Sequence, residues 1–187
     1  LESGLSILEA ISKKNNLNFE ISFDLIGGAC WDKYGTFCRN STIEKAIESD
    51  AILVGAVGGH KWDAMKIKGD PEEQDGLMCL RKKLGAFFGI RPAKNYKSLQ
   101  NIIPFNKEYV QNSEIIILRE MCGGVMFSKP RGLKFLENDE RYGFDTAGYN
   151  ECEIREFAKC GFELAKMYNK NIISIDTKLF SMRSTCK

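Results

Sequence analysis

The sequence predicts an α/β fold in which amphipathic helices and strands follow one another along the chain. Apolar residues recur at helical spacing in several stretches, for example at Leu77, Leu80 and Leu84. Between these stretches lie short runs in which apolar residues either alternate with polar ones or follow one another without interruption. Both kinds of run are typical of strands, half-buried in the first case and buried in the second.

In the first part of the chain the pattern predicts two helices and two strands. The expected order is a helix over 1–16, a strand over 17–23, a helix over 41–49 capped by Ser41 or Thr42, and a strand over 51–57. The last of these is almost wholly apolar, as a strand covered on both faces should be. Gly58 and Gly59 follow it directly, and glycines at a strand end allow a ligand to approach the backbone.

The second part begins with the stretch 76–94, which predicts one helix followed by a turn. Gly89 is the expected helix stop, and Pro92 should hold Arg91 in extended geometry. Further on, we expect a buried strand over 114–119, a turn and an extended piece over 125–127, a charged loop over 129–141, a helix over 151–168 and a strand over 172–175.

Composition narrows the classes of function. The formal net charge is +2, charged residues make up 28% of the chain, and both signs are well mixed, so nucleic acid is not an expected partner. No run approaches the roughly 20 apolar residues that span a membrane, and no secretory signal pattern is visible. The seven cysteines are scattered without a CxxC pair, which favours reduced thiols in a cytoplasmic protein.

Three arginines are candidates for binding carboxylates, because each lies at or near the end of a predicted element. They are Arg81, Arg91 and Arg119. A planar guanidinium can bind a carboxylate through two parallel hydrogen bonds. Leu77 and Met78 share the helix face of Arg81, so a ligand with carboxylates and a branched hydrocarbon end would suit this region. The alternative is that the arginines are solvated surface residues and the apolar residues belong to the core.

Five stretches in this order carry a resemblance to a known family: 50–63 (DAILVGAVGGHKWD), 76–94, 117–124 (ILREMCGG), 127–132 (FSKPRG) and 143–149 (GFDTAGY). Together they resemble the isocitrate/isopropylmalate dehydrogenase family, and the apolar Leu77 and Met78 resemble its isopropylmalate branch. The resemblance implies two interleaved α/β domains, with 1–95 in the cofactor-side domain and 96–187 in the substrate and dimerisation domain. Both are expected to be incomplete, because the family is about twice as long.

The resemblance also implies an activity and a set of site residues. Family members of this branch oxidise 3-isopropylmalate with NAD and release carbon dioxide, in leucine biosynthesis, as cytoplasmic homodimers that use Mg²⁺ or Mn²⁺. By resemblance, the three arginines with Leu77 and Met78 bind the substrate. The expected cofactor contacts are Gly59, His60, Lys61, Trp62 and Glu73. His60 is the only histidine; it is either a catalytic base or a loop residue in place of the family's proline.

The catalytic part of the family pattern is broken in this sequence. The family's proton-transferring tyrosine corresponds to Met126, its lysine corresponds to Thr177, and Cys122 stands where the family has threonine. A thioether cannot donate a proton. Lys178 is one residue away, which on a strand means the opposite face. By resemblance, the metal-binding aspartates lie in the missing half, and no aspartate cluster here replaces them.

Three hypotheses therefore stay open. The chain is part of an active dehydrogenase, or it is a catalytically inactive remnant that at most binds a dicarboxylate, or it is a binding module for an unrelated partner. A reading frame that continues past Lys187 with further aspartates would favour the enzyme. For the isolated chain we expect poor solubility, because the half-sheets would expose strand edges.

Overall fold

A computed structural model of the protein describes residues 1–63, 65, 69, 71–111 and 113–175. Its helices are α1 Glu2–Asn15, α2 Gly28–Tyr34, α3 Asn40–Glu48, α4 His60–Asp63, α5 Pro71–Gln74, α6 Gly76–Lys83, α7 Lys107–Val110 and α8 Glu151–Tyr168. Its strands are β1 Phe88–Lys94, β2 Glu114–Glu120, β3 Gly132–Phe135 and β4 Arg141–Phe144. The predicted α/β class is confirmed. No helix within these ranges is long and apolar enough to cross a membrane.

The two longest helices lie where the apolar spacing predicted them. The helix predicted over 151–168 is α8, and its first turn carries a reciprocal cap: the N–H of Glu153 donates to the Asn150 side chain, and the N–H of Asn150 donates to the Glu153 carboxylate, both at 2.9 Å. The cap predicted for α3 is wrong. The helix already begins at Asn40, and Thr42 is a buried residue of its first turn rather than the capping residue.

The predicted helix stop at Gly89 is also wrong, because α6 ends six residues earlier at Lys83. Gly85 has a φ of +62°, a left-handed conformation that suits glycine at a helix end. This turn lets the N–H of Ala86 donate to the carbonyl of Arg81 (3.0 Å). The chain then enters β1, which contains Gly89, so the predicted turn is a strand. Arg91 is extended, as the following proline predicted.

Strands β1 and β2 pair with each other. The N–H of Met121 donates to the carbonyl of Phe87 (2.8 Å), and the N–H of Asn95 donates to the carbonyl of Ser113 (3.3 Å). Residues that follow one another in β1 therefore meet residues in reverse order in β2, and the pair is antiparallel. The strand predicted over 114–119 is confirmed, but its expected burial is wrong: Ile115 is 61% and Ile117 54% exposed.

Three other predicted strands are absent from the described residues. Segments 17–23, 51–57 and 172–175 have no regular secondary structure, and none of the backbone hydrogen bonds among the described residues joins the first two into a ladder. A strand needs a neighbouring strand to bond with, and an apolar pattern does not supply one. Segment 51–57 instead packs on α1: a Cβ added at Gly4 would lie 3.3 Å from Cδ2 of Leu53.

Two predictions between β2 and α8 are wrong. The charged loop expected over 129–141 contains most of a hairpin, in which β3 pairs antiparallel with β4 and Gly132 lies opposite Phe144. Its turn is closed by the N–H of Leu136, which donates to the carbonyl of Glu140 (2.9 Å). The extended piece expected over 125–127 is a 3₁₀ turn, Gly124–Met126, because a φ of +69° at Gly124 bends the chain there.

The chain divides into two units, Leu1–Gly89 with Arg119–Tyr149 and Ile90–Leu118 with Asn150–Lys187. In the first unit, Ile43, Ala46 and Leu80 form a small buried cluster between α3 and α6. In the second unit, α8 lies on β2, since a Cβ added at Gly161 would lie 3.4 Å from Cδ1 of Leu118. The motifs singled out in the sequence lie mostly in the first unit.

Candidate functional site

Helix α6 carries three of the predicted substrate-binding residues, and an aspartate fixes its first turn. The Asp75 carboxylate accepts hydrogen bonds from the N–H of Leu77 (2.8 Å) and the N–H of Met78 (3.2 Å). This N-cap satisfies two of the N–H groups that have no partner within the helix. Asp75 directly precedes the helical pattern, so the sequence did contain a signal for this cap.

The three predicted substrate-binding residues of α6 differ in solvent exposure. Met78 is buried, with 8% of its surface exposed, whereas Leu77 and Arg81 are half-buried. Leu77 and Arg81 are four residues apart and therefore share one face of the helix. The accessible part of α6 thus places an apolar side chain beside a guanidinium, with Met78 packed into the core.

The other two predicted arginines lie on the strand pair. Arg119 is exposed near the end of β2 and belongs to the first unit, like Arg81, whereas Arg91 is exposed in β1 and belongs to the second. None of the three guanidinium groups forms an ion pair with a carboxylate of the described residues. Cations without a counter-ion from the protein are available to an anionic ligand.

The turn after β2 is held in place by the Glu120 side chain and by α6. The Glu120 carboxylate accepts hydrogen bonds from the N–H groups of Cys122 and Gly123, both at 2.8 Å. Lys82 of α6 donates to the carbonyl of Cys122 (3.3 Å), and its Nζ lies 4.8 Å from the centre of the Phe127 ring. These contacts attach the turn that follows Arg119 to the helix that carries Arg81.

The predicted cofactor loop is fixed to α2 by Asp32. Its carboxylate accepts a hydrogen bond from the Lys61 ammonium (2.7 Å) and another from the indole N–H of Trp62 (3.2 Å). These two hydrogen bonds, first that of Lys61 and then that of Trp62, lower the pKa of Asp32. The Trp62 ring also lies against Gly28, where a Cβ would be only 2.6 Å from Cε3. No local pattern in the sequence pointed to Asp32, because it lies far from the loop along the chain.

The remaining predicted cofactor residues are exposed. Gly59 has a φ of +156°, and at its neighbour Gly58 a Cβ would meet nothing within 4 Å. The imidazole of His60 is fully exposed, and its Nδ1 lies 3.6 Å from a carboxylate oxygen of Asp63. Glu73 is exposed in α5, and its side chain lies beside Gly69. The backbone is therefore open to a ligand at Gly58, whereas a Cβ at Gly59 would lie 3.1 Å from Cζ3 of Trp62.

Comparison with known proteins decides the family. The model of the isocitrate/isopropylmalate dehydrogenase family matches residues 1–182. The chain belongs to this family. It is 40% identical over 176 residues to the 3-isopropylmalate dehydrogenase of Xanthomonas euvesicatoria pv. vesicatoria. The matched residues cover 94% of this chain and 49% of that relative.

Other relatives agree with this match. The 3-isopropylmalate dehydrogenase of Pseudomonas fluorescens is 42% identical over 176 residues, covering 94% of this chain and 48% of the relative. That of Hydrogenovibrio crunogenus is 41% identical over 172 residues, covering 92% and 48%. The chain thus spans about half the length of the curated relatives that it matches.

Met126 occupies the position at which the family resemblance implies a proton-transferring tyrosine. Met126 ends the 3₁₀ turn Gly124–Met126 and is 41% exposed. The ring of Tyr149 covers the preceding glycines, where a Cβ added at Gly123 would lie 2.9 Å from Cδ1 of that ring. Met126 itself offers a thioether, which neither donates nor accepts a proton at neutral pH. The second expected position, Thr177, and its neighbour Lys178 lie outside the described residues.

A divalent metal does not fit the described part of the chain. No group of three or more His, Cys, Asp or Glu side chains among these residues could hold a metal ion. Several acidic side chains of the first unit are already bound to N–H groups or cations, as described for Asp32, Asp75 and Glu120. Hard cations such as Mg²⁺ need several oxygen ligands that converge on one point.

Proposed function

We propose that this chain is part of a 3-isopropylmalate dehydrogenase, an NAD-dependent enzyme of leucine biosynthesis. One observation carries the proposal. Arg81 and Arg119, two arginines of the first unit, lie on family motifs and form no ion pair with any described carboxylate. The relatives, at about 40% identity, are all named for this activity.

In this proposal the substrate is a dicarboxylate with an isopropyl group. Arg81, Arg91 and Arg119 bind its carboxylates, because a guanidinium offers paired N–H donors to a carboxylate. Leu77 contacts the isopropyl group from the accessible face of α6, and the buried Met78 is the second apolar residue of this site. We also propose that 1–95 belong to the cofactor-side domain and 96–187 to the substrate and dimerisation domain.

The reaction removes a hydride from the carbon that carries the hydroxyl, and the hydroxyl proton passes to a base. The resulting β-keto acid loses carbon dioxide, and protonation of the enolate gives 4-methyl-2-oxopentanoate. NAD, when bound, supplies the hydride acceptor. We propose Gly59, His60, Lys61, Trp62 and Glu73 as its contacts. The open backbone at Gly58 and the anchored Trp62 support this placement.

The family's metal, Mg²⁺ or Mn²⁺, has no ligand set in the described residues, and no step above is assigned to it. The remaining implications of the family, a homodimer in the cytoplasm, belong to the same proposal. Met126 supports a second candidate function, which is binding of a dicarboxylate without turnover, since a thioether cannot transfer the proton.

Binding and turnover separate the two candidates. The purified chain is titrated calorimetrically with 3-isopropylmalate, and NADH absorbance is followed with NAD and Mg²⁺. The same assays are run on the double variant Met126→Tyr/Thr177→Lys. Binding with turnover only in the double variant supports the dehydrogenase site. Binding without turnover in either protein would place the defect outside the two substituted side chains, and turnover by the unmodified chain would contradict the role given to Met126.

A matched pair of variants on α6 tests the substrate site. Arg81→Met should weaken 3-isopropylmalate binding by about 10-fold or more, since it removes a hydrogen-bonded charge from the ligand. Lys83→Met removes the same charge from an exposed neighbour on the same helix and should leave binding within about 2-fold. Equal losses in both variants would mean that only net charge matters, and the proposed site would be wrong.

A further inference from the structure

Two cysteines that are distant in the sequence meet in the core of the first unit. Cys38 and Cys79 both pack against the buried cluster of Ile43, Ala46 and Leu80. The backbones explain why they meet. A Cβ added at Gly76 would lie 3.0 Å from the carbonyl carbon of Phe37, so α6 begins directly against the turn that carries Cys38. Cys79 follows Gly76 by three residues and therefore shares its face of the helix.

The two side chains interact directly. The pKa of the Cys38 thiol is raised to about 12. Burial is the largest cause, followed by the charge of Cys79 and by a hydrogen bond with it. Both side chains are free thiols. A third thiol, Cys30, is fully buried nearby and has a smaller effect on Cys38. The three thiols do not form a metal site, since no cluster of three or more Cys, His, Asp or Glu side chains among the described residues could hold a metal ion.

We propose that Cys38 and Cys79 are a latent disulfide site, which a peroxide oxidises to a covalent link between α6 and the turn 35–39. The inference is independent of the function proposed above. It rests on the contact between the two side chains, on the close approach of Gly76 to Phe37, and on the shared cluster beneath them.

The reaction has two steps. The first of the two thiols to ionise attacks one oxygen of hydrogen peroxide as its thiolate; the O–O bond breaks, and a sulfenic acid and hydroxide form. The sulfur of the other thiol then attacks the sulfenic sulfur; the S–S bond forms, the S–O bond breaks, and the departing hydroxide leaves as water with the thiol proton. Two thiols and one peroxide thus give one disulfide and two waters.

The link would restrict the two segments that it joins, α6 and the turn 35–39, both of which lie in the first unit. It closes a loop of about 40 residues, which should raise the thermal midpoint of unfolding by about 10 °C. Arg81 follows Cys79 by two residues, so the link would also fix the helix turn that carries this arginine.

Peptide mapping tests the site on the unmodified chain. The folded protein is treated with hydrogen peroxide, free thiols are blocked with N-ethylmaleimide, and a tryptic digest is compared with and without reducing agent. The expected product joins YGTFCR, residues 34–39, to GDPEEQDGLMCLR, residues 69–81. The oxidised protein should also show the higher thermal midpoint, and a reducing agent should reverse it.

Three controls keep the result specific. Cys152 is exposed, so its oxidation or blocking reports that the reagents have reached the protein. The variant Cys152→Ser should still form the link, and Cys79→Ala should not. Oxidation in guanidinium chloride should give mixed pairs instead of one. Oxidised Cys152 without the Cys38–Cys79 peptide, or a peptide that joins Cys38 to Cys30, would overturn the proposal.

Discussion

Replacing Gly28 with alanine tests whether Trp62 anchors the loop of residues 58–63. Gly28 is buried in the first turn of α2, and the Trp62 ring lies directly over it. A Cβ there would lie 2.6 Å from Cε3 and closer still to two other ring carbons. Because non-bonded carbons rest about 3.5–4.0 Å apart, the ring must retreat by more than about 1 Å. The hydrogen bond from Trp62 to Asp32, at 3.2 Å, would then break.

The expected magnitude follows from two opposing effects. Alanine in a helix is otherwise more favourable than glycine by about 0.5–1 kcal/mol. Overpacking costs about 1–3 kcal/mol, and the lost hydrogen bond adds about 0.5–1.5 kcal/mol. Gly28→Ala should therefore lower the free energy of unfolding by about 2 kcal/mol, within a range of about 0.5–4 kcal/mol.

The assay is urea unfolding, followed by circular dichroism and by tryptophan fluorescence. The matched control places Gly28→Ala in a Trp62→Ala background, where no ring opposes the new Cβ. There the substitution should be neutral or stabilising. Equal stability of the parent and Gly28→Ala, or an equal loss in both backgrounds, would refute the anchoring role of Trp62.

Two further predictions concern carboxylates of the first unit. Burial would raise the pKa of Asp24, but hydrogen bonds from the N–H of Leu25 and from Arg39, with the charge of Arg39, lower it overall. The ionised Asp24 carboxylate therefore stabilises the fold above the unfolded pKa of about 3.9, and this stabilisation is lost as the pH falls through the lower folded pKa. In urea titrations at descending pH, the free energy of unfolding should fall less in Asp24→Asn than in the parent. Asp75→Ala should lower the free energy of unfolding by about 1 kcal/mol through loss of the α6 cap, whereas Asp75→Ser should keep most of it.

Local signals predicted the helices well. The α8 bounds could be read from the sequence because the cap and the apolar spacing lie within the helix itself. The hairpin of β3 and β4 was missed, although Leu133 and Phe135 alternate with polar residues and Asp139 has a left-handed φ of 58° in its turn. The high charge of this stretch obscured a pattern that was present.

Non-local pairing explains the errors that the sequence alone could not have avoided. The alternation in 17–23 is a strand pattern, yet Phe19 and Phe23 are 42% and 66% exposed, and the segment has no ladder among the described residues. The site shows the same limit. Arg81 and Arg119 were identified from their motifs. The hydrogen bond from Lys61 to Asp32 could not be inferred from residue spacing, because the two residues are far apart in the sequence.

Three carboxylates of the first unit that lie close to family motifs have a different task from Arg81 and Arg119, and this division bears on the proposed ligand. Asp32 holds the loop before α5, Asp75 begins α6, and Glu120 holds the turn after β2. Each of these carboxylates is bound to N–H groups or a cation close to a family motif, so it is not available to neutralise Arg81 or Arg119. The positive charge of the two arginines is therefore left uncompensated within the described residues, although the whole chain has a net charge of only +2. We therefore expect this region to favour an anion with more than one carboxylate over a neutral or cationic ligand.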